Sequence, residues 1–101
     1  MLEKRKEIID LLKTVFDPEL GINIYDLGLI YGVDVNKKNE VTVILTFTSP
    51  ACPFADVLLT EIRQKVEALV WVKDLALDIT FEPMWTTSMM SEEALLEAGL
   101  L

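Results

Sequence analysis

Two runs of alternating residues, four positions apart, constrain this chain more than anything else in it. LIYGVDV (29–35) places Leu29, Tyr31, Val33 and Val35 on one face. EVTVILTFT (40–48) places Val41, Val43, Leu45 and Phe47 on one face and Thr42, Thr46 and Thr48 on the other. A period of two, rich in β-branched and aromatic residues, marks a strand. The intervening NKKN is short enough to demand an antiparallel hairpin. A third run, DLALDITFE (74–82), alternates Leu75, Leu77, Ile79 and Phe81 with Ala76, Asp78 and Thr80. Before it, Leu58, Ile62, Val66 and Leu69 recur at helical spacing, predicting a helix over 54–70. A strand–helix–strand passage of this length suits a right-handed crossover.

The flanks add two more helices. Leu2, Ile8, Ile9, Leu12, Val15 and Phe16 form an apolar stripe that predicts an amphipathic helix over 2–16. Asp17-Pro18 ends it, because the residue before proline avoids the helical region. In DPELGINIYDLG (17–28), Asn23 is placed to cap one helical turn that Gly28 closes. At the other end SEEALLEAGL reads as a short helix with Ser91 as N-cap, Glu92 and Glu93 facing the dipole and Gly99 as its stop. The expected fold is therefore an α/β, two-layer α+β domain over residues 1–101. Its order is α-β-β-α-β-α, with helices packed on one face of a small mixed three-stranded sheet. The other sheet face mixes Thr and Asp with Ile30, Ile44 and Ala76. It is expected to be either solvated or half of a homodimer interface.

Composition removes several function classes. The net charge of −8 opposes binding to nucleic-acid phosphates or anionic lipid, so neither nucleic acid nor membrane is expected as a partner. No apolar run reaches the ~20 residues of a membrane span. The charged start MLEKRKEIID has no signal-peptide core, and a cytoplasmic location is expected. The chain has no histidine and one cysteine. A catalytic imidazole, a histidine zinc site, an intrachain disulfide and a paired-cysteine motif are all excluded.

The lone thiol, Cys52, stands in TSPACPFAD (48–56), after the second strand and before the second helix. Thr48, Ser49 and Pro50 precede it and Pro53 follows. Proline is favoured at the first helical position, so Pro53 is expected there, with Cys52 at or next to the N-cap. Thiols at helix N-termini have lowered pKa values, and the thiolate is both nucleophile and metal ligand. A buried structural cysteine is the alternative, since free cysteines are commonly buried. On residue types alone the two stand level.

Two further stretches carry unusual residues. In the acidic turn Asp17, Glu19 and Asp26 offer carboxylates to a metal or a partner; Asp17 and Asp26 are each better read as cap and turn residues. In FEPMWTTSMMSEEA (81–94), Trp85 stands among Met84, Met89 and Met90, with Thr86 and Ser91 close by. Such a segment forms a hydrophobic lid or partner surface, or else plugs the core, which is the better reading for Met89 and Met90.

Together, DPELGINIYDLGLIYGV, TFTSPACPFAD and FEPMWTTSMMSEEA resemble the SufT/PaaD-type iron–sulfur cluster assembly domain. That family has eukaryotic relatives that act as cytosolic iron–sulfur targeting factors. The blocks follow the family's order and span essentially the whole chain. The resemblance implies a small α/β domain that matures iron–sulfur proteins through a reactive cysteine, here Cys52, supported by Thr48, Ser49, Pro50 and Pro53. It maps the acidic turn onto Asp17, Glu19 and Asp26, and the last block onto Trp85, Thr86, Met90 and Ser91. Ala51, Phe54 and EPMWT depart from the commoner glycine, methionine and DPPWT-like string. The PaaD-like branch, serving a ring-oxidising monooxygenase system, often carries extra cysteines near its C-terminus. Their lack here favours the SufT-like branch.

The expected role is a non-enzymatic assembly factor that helps deliver or insert clusters into client apo-proteins, with the assembly machinery as its other partner. Clusters are usually held by four thiolates. One chain supplies one and a homodimer two, so iron or an iron–sulfur cluster is expected only transiently. A thiol enzyme lacks the usual histidine base. A pure adaptor, binding through its acidic surface and Trp85 while Cys52 packs, is the other alternative.

Overall fold

The computed structural model describes residues 2–49 and 53–100. In chain order it contains α1 (Leu2–Leu12), β1 (Ile30–Val35), β2 (Glu40–Leu45), α2 (Ala55–Glu67), β3 (Asp74–Ile79) and α3 (Glu92–Glu97). A single 3-10 turn, Thr87–Met89, precedes α3. The sheet order is β1-β2-β3, so β2 is central. β1 and β2 pair antiparallel, with Val33 opposite Val43 and Val35 opposite Val41. β2 and β3 pair parallel, from Glu40↔Asp74 to Leu45↔Ile79, which makes the passage through α2 a crossover.

Side-chain chemistry explains the hairpin. Asn36 Oδ1 accepts from the backbone N–H of Lys38 and of Glu40, at 2.9 and 3.0 Å. Asn39 takes a left-handed φ of 62°, which asparagine tolerates better than most residues. The chain thus reverses without glycine.

α1 packs on β1, α2 on β3, and the two helices touch each other. Between them and the sheet lies the core, in which Ile8 and Leu12 of α1, Val41, Val43 and Leu45 of β2, and Leu58, Ile62 and Val66 of α2 are all buried. Burying a side chain of this size stabilises by about 1.5–3 kcal/mol each, the reason the amphipathic stripes dominate the fold. Lys65 Nζ donates to the Thr14 carbonyl at 2.9 Å, tying α2 to the chain just after α1, and Trp71 Nε1 donates to Glu7 Oε1 at 2.9 Å, tying the chain beyond α2 to α1.

Four expectations need correction. α1 ends at Leu12 rather than at residue 16. The backbone of Val15 and Asp17 is engaged elsewhere: Ile24 N–H donates to Val15 O, and Asp17 N–H to Ile22 O, both at 2.9 Å. Val15 is buried all the same, whereas Phe16 is exposed and forms an isolated antiparallel bridge with Asn23. α2 stops at Glu67, and Val70, expected inside it, is fully exposed. β1 carries a register shift between Ile30 and Gly32, so Tyr31 does not continue the alternation of Val33 and Val35. Finally, Thr46, expected on the polar face, is completely buried, its hydroxyl 3.3 Å from the Phe47 carbonyl. On the open face Asp34, Ala76 and Asp78 are exposed. Among the described residues no helix is long and apolar enough to cross a membrane.

Candidate functional site

Pro50, Ala51 and Cys52 lie outside the described residues. β2 delivers the chain from the centre of the sheet, with Phe47 buried and Thr48 and Ser49 exposed. On the far side Pro53 is exposed and α2 begins at Ala55. Pro53 is therefore not the first helical residue. The N-cap is Phe54, at φ −102° and ψ 10°, two positions beyond Cys52, and its own side chain makes no cap bond. The phenyl group cannot accept from the first-turn N–H groups as a Ser or Asp cap would.

The acidic turn is built like a small hairpin. Asp17 is only 7% exposed, and its Oδ1 accepts from Glu19 N–H at 2.8 Å and Leu20 N–H at 3.1 Å. This is an Asx-type turn, the structural reading of Asp17. Glu19 itself is exposed. Gly21, at φ 68°, closes the turn with an N–H bond to Asp17 O at 2.8 Å.

Asp26 sits in the next turn. Asn23 Oδ1 accepts from Asp26 N–H and Asn23 Nδ2 donates to Asp26 Oδ2, both at 2.9 Å. Leu27 N–H returns to Asn23 O at 3.0 Å. Asn23 does cap this helical turn, and Gly28, at φ 86°, ends it.

The terminal segment is fastened to that turn. Trp85 Nε1 donates to Leu27 O at 2.8 Å, Ser91 N–H to Asp26 O at 2.8 Å, and Tyr31 Oη to Pro83 O at 2.7 Å. Met90 is buried, Ser91 Oγ caps α3 by accepting from Ala94 N–H at 3.1 Å, and the Thr86 and Ser88 hydroxyls bond to each other. Trp85 is half-buried against the core, and the exposed apolar group of the segment is Met84. The structure thus brings Asp26, Trp85 and Ser91 together, and Asp17 with Glu19 at a separate turn. Among the described residues no group of three or more His, Cys, Asp or Glu is arranged to hold a metal ion.

Sequence reasoning passed over Tyr25 and Tyr31. With Met89 they line a recess between the two fastened segments. Tyr31 was hidden by its place in an alternating run, and a bulge leaves no mark on a hydrophobic pattern.

A three-stranded mixed sheet with a parallel crossover through α2, and the chain's one cysteine in the sequence that joins β2 to α2, defines a small α/β scaffold. Residues 5–77 match the model of the iron–sulfur cluster assembly protein family, and the chain belongs to that family. It is 51% identical over 100 residues to an Fe–S protein maturation auxiliary factor of Porphyromonas gingivalis, covering 99% of this chain and 95% of that one. It is 35% identical to the Fe–S protein maturation auxiliary factor YitW of Bacillus subtilis, covering 95% and 94%. The fold matches the crystal structure of a domain of unknown function from Bacillus anthracis with a TM-score of 0.92 at 28% identity, covering 99% and 95% of the two chains.

Proposed function

We propose that this chain is a non-catalytic maturation factor that passes iron–sulfur clusters to client apo-proteins, with Cys52 as the group that meets the cargo. Membership of the assembly family, with relatives named as maturation factors, carries this reading. The chemistry of the chain agrees with it. Cys52 is the one thiol in the sequence, two positions before Phe54, the N-cap of α2, which makes no side-chain cap bond. A helix N-terminus favours the anionic sulfur that binds iron. One thiolate is a quarter of the usual cluster ligand set, so the cargo is shared with a donor or a client and leaves again. With no histidine in the chain, the usual base for covalent thiol catalysis is missing.

The test is anaerobic incubation with ferrous iron and sulfide, comparing wild type with Cys52→Ser by visible absorption and bound iron. Sulfur-to-iron charge-transfer bands in the wild type that the variant lacks are the expected result. Equal loading of both proteins, or of neither, removes Cys52 from the cargo pathway and leaves an adaptor role.

A further inference from the structure

The recess between the turn at residues 23–28 and the terminal segment plays no part in the reading above. Its volume is about 590 Å³, and its walls include Tyr25, Asp26, Tyr31, Pro83, Met89 and Ser91. That size is typical of ligand pockets. Its chemistry is one-sided. Asp26 is the only charged residue among the described lining. Residues 74–101, which supply one wall, contain six acidic side chains and neither Lys nor Arg.

The aromatic groups suit the same kind of guest. The ring of Tyr25 carries an intrachain cation, with Lys13 Nζ 5.3 Å from its centroid, so a guest cation stacks there beside or in place of Lys13. The Tyr31 hydroxyl is engaged with Pro83 O and lies 3.4 Å from Met89 Sδ, so this residue offers its ring rather than a hydrogen bond. Asp26 Oδ2 accepts from Asn23 Nδ2, and a carboxylate has capacity for further donors.

We propose that this recess docks an arginine side chain carried on an extended segment of a partner protein. A guanidinium is planar, stacks on aromatic faces and bonds a carboxylate through its fork of N–H groups, which suits tyrosine rings beside Asp26. The recess is larger than one guanidinium requires, and the apolar flank formed by Ile30 and Met89 suits residues on either side of the arginine. The negative field of the terminal segment steers such a partner toward the recess.

The experiment is a titration of the ¹⁵N-labelled full chain with the peptide acetyl-Gly-Leu-Arg-Leu-Gly-amide, against the same peptide with the uncharged isostere citrulline. Saturable shifts confined to amides of residues 25–31 and 84–91 are expected for the arginine peptide, weakening as salt is raised. Asp26→Asn, which keeps an acceptor for Asn23, is expected to weaken binding about two- to fivefold. Tyr25→Leu, a second variant, is expected to weaken it about two- to fivefold as well. Equal binding of the citrulline peptide, or shifts scattered over the molecule, would overturn the proposal. Free arginine binding as tightly as the peptide would also overturn it, because the occupant would then be a small cation. Cys52→Ser is expected to leave peptide binding unchanged. Failure of cluster loading and failure of peptide docking are therefore read separately.

Discussion

The indole N–H of Trp85 donates to the backbone carbonyl of Leu27 across 2.8 Å, joining residues 58 positions apart in the chain. This bond holds the terminal segment on the turn before β1. Replacing Trp85 by Phe keeps most of the ring but leaves the carbonyl without its donor. The expected loss is about 1 kcal/mol in urea unfolding. Trp85→Ala also removes packing and is expected to cost about 3 kcal/mol.

Gly28 and Gly21 both adopt left-handed backbone, at φ 86° and 68°. A Cβ on Gly28 would fall 2.4 Å from the Met89 carbonyl oxygen, whereas one on Gly21 meets nothing within 4 Å. Gly21→Ala is expected to cost about 1–2 kcal/mol, the left-handed penalty alone. Gly28→Ala adds a backbone clash and is expected to cost more than twice that. Equal losses for the two variants in the same denaturation series would show that the terminal segment yields.

Ser91 caps α3 through Ala94 N–H. Ser91→Ala is expected to lower stability by about 1 kcal/mol, with Ser91→Asp retaining it. Faster amide exchange confined to residues 92–98 is the accompanying signature of a frayed helix.

Asp17 separates structure from chemistry. Asp17→Asn keeps an oxygen for the Glu19 and Leu20 N–H groups, so stability is expected to change by less than about 1 kcal/mol. Asp17→Ala orphans both donors and is expected to cost about 1–3 kcal/mol. If Asp17 also meets iron, the Asn variant folds normally yet loads less metal than wild type. Equal loading assigns the residue to the turn alone.

Much of this fold was legible because its signals are local and periodic. The β1–β2 alternation, the stripe of Leu58, Ile62 and Val66, and the Ser91 cap each lie within a few residues of what they determine. The errors arose where distant backbone competes. Val15 continues the helical stripe of Ile8 and Leu12, but its carbonyl is taken by Ile24 N–H, and no periodicity reports that. Tyr31 obeys the alternation on paper, while the register shift removes it from the ladder and its hydroxyl meets Pro83. Thr46 looks polar but is fully covered. Among the site residues, the turn role of Asp17 followed from residue type. The fastening of Trp85 to Leu27 depends on a contact between segments 58 positions apart that spacing alone does not contain.

The order β1-β2-β3 bears on synthesis. β2 gains its antiparallel neighbour from a hairpin made as soon as Glu40–Leu45 emerges, but its parallel neighbour is Asp74–Ile79, reached only after α2. Local pairs form fast, and pairs that require a long loop to close form slowly. One edge of the most apolar strand, EVTVIL, therefore stays open while the crossover is still being translated. Open strand edges invite pairing with other chains. Nascent chains stalled between α2 and β3 are therefore expected to be prone to pairing through that edge.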